Sequence, residues 1–256
     1  MKPKNSSTTK IPANENEKNH PWRLCPLGEH WVRPHEKQLK SGTITNHNGH
    51  CRKNVKGKSE FYTAEELRVI AATNFQKLSL DLNIMPIQDK LDFPNGNQYD
   101  LLIAGWTKFW NDILKPEDPL TPDFVKALIA TESSFKIPKD QSSSDGLARG
   151  PIQITEGSRR ILQNLKGELK NHYIDLTVEE SRDPVTNIGA GIRWLHHKKF
   201  LLEHRIKRDA TWEEAVAEYK GITDQLKRNP DNPTASRIMT DLKEYYNKLN
   251  SKRQEK

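Results

Sequence analysis

Long apolar runs are missing from this chain, and sulfur is scarce. No stretch approaches the roughly 20 apolar residues that a membrane-spanning helix needs. Among 256 residues there are 2 cysteines and 3 methionines. Two cysteines cannot build the disulfide framework of a small secreted scaffold, so a hydrophobic core has to hold most of the chain together. Met1 to Asn19 is polar and lacks the apolar core of a secretory leader. The expectation is synthesis in the cytoplasm without the general secretory route. Positive charge is concentrated rather than spread. Residues 1–60 hold 12 Lys and Arg against 5 Asp and Glu, which accounts for the whole formal excess of +7; residues 61–256 hold 29 of each. A basic N-terminal region can attract an anionic polymer such as nucleic acid, teichoic acid or acidic peptidoglycan, or simply be solvated.

Residues 1–20, rich in Lys, Asn, Ser, Thr and Glu, offer nothing to bury and read as a disordered tail. Residues 21–58 read as a small Cys/His-containing basic module with two extended pieces, around Trp31–His35 and Thr43–Thr45. Turn signals stand at Ser41-Gly42 and Asn48-Gly49. So small a unit needs a staple or a host. Cys25, His30, His50 and Cys51 are candidate zinc ligands; a Cys25–Cys51 disulfide is the alternative. From residue 59 the pattern turns helical. Thr63 and Glu66 form a capping box, and Leu67, Ile70 and Ala71 a stripe. Residues 59–98 read as a helical linker region, and Tyr99–Leu114 as a second helix with Leu102, Trp106, Phe109 and Ile113 on its core side.

The stretch from Thr121 carries the chemistry. Thr121 can cap a helix, Pro122 suits its first turn, and Asp123 meets the positive end of the dipole. Val125, Leu128 and Ile129 make one apolar face, and Glu132 lies seven, four and three residues beyond them on that face. A carboxylate at the end of a buried stripe is poorly solvated, which favours its proton-carrying form and suits a general acid. A salt-bridged structural Glu gives the same pattern.

Three further blocks follow Glu132-Ser133-Ser134-Phe135. They are Ala148-Arg149-Gly150-Pro151-Ile152-Gln153-Ile154, then Asp183 to Leu195 with Asn187, Gly189 and Gly191, then Ala217-Glu218-Tyr219-Lys220-Gly221. Together they resemble the lytic transglycosylases of the soluble (SLT-like), goose-lysozyme-like superfamily, over about residues 99–249. The resemblance implies a mainly α, lysozyme-like helical catalytic domain at 99–250, with peptidoglycan glycan strands as substrate. It implies cleavage of the MurNAc–GlcNAc β-1,4 bond with 1,6-anhydroMurNAc formation, Glu132 serving as acid and then base. Ser133, Gln153 and Tyr219 would be its substrate-binding residues, and catalysis would need no cofactor. A goose-type lysozyme hydrolysing the same bond, and a non-catalytic binding or assembly module, are the alternatives. For a lysozyme the second carboxylate would come from Asp140, Asp145, Glu156 or Asp175.

Gln153 brings a donor and an acceptor suited to a sugar hydroxyl or acetamide. Gly189 and Gly191, each costing about 1 kcal/mol in a helix interior, imply close approach of another helix or of the Glu132 segment. Pro151 removes a backbone donor, and Lys220 stands where the family has Asn-Ala. Action on a bacterial cell wall without a leader implies release at phage lysis, a virion, or a secretion or conjugation machine.

Overall fold

Residues 22–26, 28–54, 61–81, 83–136 and 140–255 are described by the structure, a computed structural model. The expected tail of residues 1–20, and Pro138 of the loop after Glu132, lie outside them. Among the described residues the chain is mainly helical, as its stripes require. The helices are α1 (Ala64–Asn74), α2 (Asp100–Leu114), α3 (Pro122–Ser133), α4 (Glu156–Leu162), α5 (Pro184–Ile206), α6 (Trp212–Tyr219), α7 (Thr223–Arg228) and α8 (Pro233–Gln254). No helix among these residues is long and apolar enough to cross a membrane.

Three of the helices, α3, α5 and α6, start at side-chain caps. Thr121 accepts from Phe124 N–H, Asp183 from Val185 N–H, and Thr211 forms a reciprocal capping box with Glu214. The box at α1 is only half made: Thr63 accepts from Glu66 N–H, but the Glu66 carboxylate turns to Arg23.

The core is built round the aromatics of α2. Trp106, Phe109 and Trp110 are fully buried. Their rings meet edge to face at 5.2 and 4.7 Å, and Phe75 and Tyr62 join at 4.9 and 5.8 Å. Such pairs add about 0.5–1.5 kcal/mol each beyond their buried area. Trp110 also donates to the Gly189 carbonyl of α5 at 2.7 Å, which ties the two central helices.

Residues 61–98 are not a linker. Strand β5 (Phe61–Thr63) pairs in parallel with β8 (Tyr173–Asp175). Leu67, Ile70, Phe75, Ile87 and Leu91 belong to the same core as α2 and α3. The end of α8 is docked as well. Arg253 donates to Asp123 at 2.5 Å and to the Met85 carbonyl at 2.8 Å, and Lys252 pairs with Asp89.

The N-terminal segment holds two antiparallel pairs. Strand β1 (Glu29–Val32) pairs with β4 (His50–Lys53), and β2 (His35–Gln38) with β3 (Ile44–His47). The expected zinc set is not assembled. Cys25 and Cys51 form a disulfide, with Cα atoms 5.5 Å apart. His30 faces Asn54 at 2.8 Å, and His50 is exposed with its Nδ1 near the Asn48 carbonyl. Adjacent residues on a strand point to opposite faces, so His50 and Cys51 cannot serve one ion. Among the described residues no three His, Cys, Asp or Glu side chains converge.

This segment is stitched into the helical body. Trp22 lies in the aromatic core and donates to Asp112 at 3.0 Å. Arg23 meets Glu66 at 2.6 Å with both side chains almost fully buried, and lies over the Tyr62 ring. Burial pushes the Glu66 carboxyl up to about 7 even against the attraction of Arg23. Removing one partner strands the other. Arg23→Met is expected to cost about 3–5 kcal/mol in urea unfolding, and the double change Arg23→Met/Glu66→Leu distinctly less.

Candidate active site

Glu132 sits in the last turn of α3, and an unusual chain reversal follows it. Ser134 and then Phe135 are both left-handed, with φ of 52° and 60°. Each such non-glycine residue costs about 1–2 kcal/mol. Contacts beyond the turn hold it: Phe135 is fully buried against Phe93, and its carbonyl accepts from the Gln98 amide. The helix end that presents the acid is therefore fixed by packing rather than by local preference.

A short hairpin follows, β6 (Gln141–Ser143) with β7 (Gly146–Ala148). The Gly-Pro-Ile-Gln block then forms a tight turn. Arg149 and Ile154 exchange backbone hydrogen bonds at 3.0 Å, and Gln153 N–H donates to Gly150 O at 3.2 Å. Pro151 occupies the second position of that turn, where its fixed φ suits and no donor is needed.

Asn187, fully buried on the first turn of α5, holds this turn in place. Its Oδ1 accepts from Ile152 N–H at 3.0 Å, and its Nδ2 donates to the Arg149 and Ser181 carbonyls at 2.9 and 2.7 Å. Gly150, at φ +70°, leaves room for the amide, since a Cβ there would lie 2.3 Å from Asn187 Cγ. The two helix glycines have related reasons. Gly191 admits Ile152 of the turn and Gly189 admits Trp106 of α2; neither meets the Glu132 segment.

Helix α6 supplies the third side. Tyr219 donates to the Ile152 carbonyl at 2.6 Å. Burial, and then the neighbouring Glu132 charge, raise its phenol well above the usual value, so it stays a neutral donor. The next residue, Lys220, places its ammonium 2.8 Å from Glu132 Oε1, with the two side chains only 10% and 12% exposed. Gly221 makes this placement possible. At φ +68° it ends α6, with Gly221 N–H on Glu218 O and Ile222 N–H on Ala217 O. That is the paired-bond helix end that a left-handed glycine favours. Burial raises the Glu132 carboxyl above its ordinary value, and Lys220 opposes that rise.

Of the residues singled out from sequence, Glu132 and Tyr219 come together, with the backbone of the Gln153 turn between α5 and α6. Ser133 points its hydroxyl back at the Ile129 carbonyl, at 3.5 Å, and not at Glu132. Gln153 is buried, left-handed at φ 55°, and donates to the Gly150 carbonyl at 2.8 Å. Its amide nitrogen thus serves its own turn. The contact with Lys220 was not anticipated, although Lys220 had stood out as a departure from the motif.

The four other carboxylates considered are all committed. Asp140 bridges Arg182 and Arg149 at 2.6 and 3.1 Å, and these hold it below the carboxylate range. Glu156 is drawn down to about 2 by Arg159, Arg160 and Arg149. Asp145 accepts from the Thr155 hydroxyl and Asp175 from the Gln163 amide. A cavity of about 850 Å³ lies elsewhere, between residues 114–118, 168–171 and the second half of α5.

Residues 115–241 match the family model of the transglycosylase SLT domain. No curated protein matches the chain. Two changes probe the scaffold under Glu132. Asn187→Ala strands the Ile152 N–H and the Ser181 carbonyl and takes one of its two bonds from the Arg149 carbonyl, and is expected to cost about 3 kcal/mol in urea unfolding. Gly221→Ala, with open space around it but a left-handed backbone, is expected to cost about 1–2 kcal/mol.

Proposed function

Starting from a chain that carries a transglycosylase SLT domain over residues 115–241, we propose that it is a peptidoglycan lytic transglycosylase with Glu132 as its acid and base. The observation that carries this reading is the placement of Glu132. It is a carboxylate almost closed off from water, raised by burial, at a rigid helix end beside Tyr219 and the Gly150–Gln153 turn.

Protonated Glu132 donates to the glycosidic oxygen between N-acetylmuramic acid and N-acetylglucosamine, and the C1–O bond breaks. The substrate's own acetamide stabilises C1. The Glu132 carboxylate then takes the proton from the C6 hydroxyl as O6 closes on C1. The product is a 1,6-anhydro sugar; the proton returns to Glu132, and no water is consumed. A retaining or inverting hydrolase needs a second carboxylate beside the bond. The arginine pairs that hold Asp140 and Glu156 favour the anhydro route over hydrolysis. Tyr219 supports the turn on which the glycan would lie, and Ser133, next to the acid, and Gln153, in that turn, would contact the sugars. No metal or organic cofactor is required for these steps.

A site of action at the cell wall agrees with the Cys25–Cys51 disulfide, a bond that persists in oxidising compartments. Delivery by lysis, by a virion, or by a secretion or conjugation machine extends this reading. So does contact of the basic N-terminal region with an anionic polymer.

The one observation favouring a non-catalytic module is the Lys220–Glu132 ion pair, and product analysis separates the two. Incubation with purified peptidoglycan is expected to release anhydro-ended muropeptides, read by mass spectrometry. Glu132→Gln is expected to lower their yield about a thousandfold, within the range for a general acid. Reducing-end products would make the protein a lysozyme. No product from the unaltered protein, across several wall types, would favour the binding module.

Tyr219→Phe keeps the ring and loses the 2.6 Å bond to the turn. It is expected to cost about 1 kcal/mol of stability and to reduce muropeptide release without abolishing it.

A further inference from the structure

The chemistry just proposed does not call for Lys220, and half of that chemistry is opposed by it. A general acid has to hold its proton, whereas an ammonium 2.8 Å from the carboxylate favours the form that has lost it. At 10% and 12% exposure the pair is shielded from most of the solvent that would screen it. Nor is Lys220 a free surface side chain on a mobile loop. Its backbone closes α6 through Val216 O at 2.9 Å, Gly221 locks the turn after it, and Tyr219 before it is bound to Ile152.

Charged groups on the elements around Glu132 are engaged with one another. On α3 itself, Lys126 is paired with Asp100 of α2 and Asp123 with Arg253 of α8. On the hairpin, turn and α4, Asp140 and Glu156 answer to Arg149, Arg159 and Arg182, and Asp145 to Thr155. On α6, Glu214 is paired with Arg208 and Glu218 with Arg205. Tyr219 is neutral. The cation that Glu132 meets is Lys220.

We propose that Lys220 is a positioning residue for Glu132, a clamp that holds the carboxylate in the ligand-free site and gives way when a glycosidic oxygen comes within hydrogen-bonding reach. This rests on the transglycosylase reading and adds to it. In the resting site the ion pair holds Glu132 nearly closed to water and opposes the rise that burial imposes on it. Arrival of the glycan displaces the ammonium from Oε1, and the carboxylate, no longer paired, takes up a proton from solvent as the site closes. After C1–O cleavage Glu132 is again a carboxylate, and the returning ammonium steadies it while it accepts the C6 hydroxyl proton. Activity is therefore lost as pH rises through the Glu132 midpoint, and Lys220 sets where that midpoint lies.

The test follows the carboxyl itself. The full chain is labelled with [δ-13C]glutamate, and the Glu132 signal is assigned by its absence in Glu132→Gln. Its titration midpoint is then compared in the unaltered protein, Lys220→Met and Lys220→Arg. The midpoint is expected to move up by about one pH unit or more in Lys220→Met, the scale of losing a close opposite charge, and to stay near the original in Lys220→Arg. The alkaline limb of muropeptide release against pH is expected to move with it. A midpoint unmoved in Lys220→Met overturns the proposal, even if activity falls, because a merely structural lysine would lower activity without moving the titration. If Lys220→Met loses its helical circular dichroism, Lys220→Gln takes its place under the same criterion. A protein that releases no muropeptides but whose Glu132 midpoint still depends on Lys220 retires the transglycosylase reading and leaves the clamp standing.

Discussion

The amide of Asn187 is the constraint on which the rest of the site hangs. Backbone groups of Ile152, Arg149 and Ser181 are all bound by this one side chain, the Arg149 carbonyl accepting from Ile154 N–H as well. Because each orphaned group would cost about 1–3 kcal/mol, the turn and the start of α5 hold each other in one arrangement. The remaining features follow outward. Gly150 and Gly191 let the turn reach the helix. The Ile152 carbonyl then receives Tyr219, and Tyr219 fixes the end of α6 that carries Lys220 to Glu132. An acid on one helix is thus positioned by a chain of contacts that starts on another.

Much of this was legible in the residues. The stripe Val125, Leu128, Ile129 put Glu132 on a buried face, and the cap at Thr121 began its helix as read. The close approach implied by Gly189 and Gly191 is present, though its partners are Trp106 and Ile152. What escaped depends on distant partners. Nothing local in Phe61–Thr63 announces a parallel pairing with Tyr173–Asp175, because a parallel strand has no turn to fix its neighbour. The contact of Lys220 with Glu132 arises from the way Gly221 ends a helix and from where that helix packs, and spacing along the chain carries neither. Ser133 and Gln153 were legible as polar groups near the acid, but their first hydrogen bonds serve their own backbones.

In the N-terminal segment the same side chains allowed two staples. Strand alternation decides between them. With β1 and β4 in register, Cys51 is carried to Cys25 while His50 faces away. The segment had read as a separate module because it is polar and basic. Trp22 and Arg23, two residues among many polar ones, are enough to seat it in the main core. Composition averages over a stretch and so hides such anchors.

The docked end of α8 has a consequence for how the protein is made. Helix α3 is covered partly by α8, through Phe124 against Tyr246 at 5.2 Å and Arg253 on Asp123. Strand β5 likewise waits for β8, some hundred residues further on. Contacts so distant in sequence slow folding, since loop-closure entropy has to be met before they form. At roughly 5–20 residues per second of synthesis, α3 is made several seconds before its cover. During that interval the nascent chain holds an apolar helix without its finished cover, so the arrangement around Glu132 comes into being late.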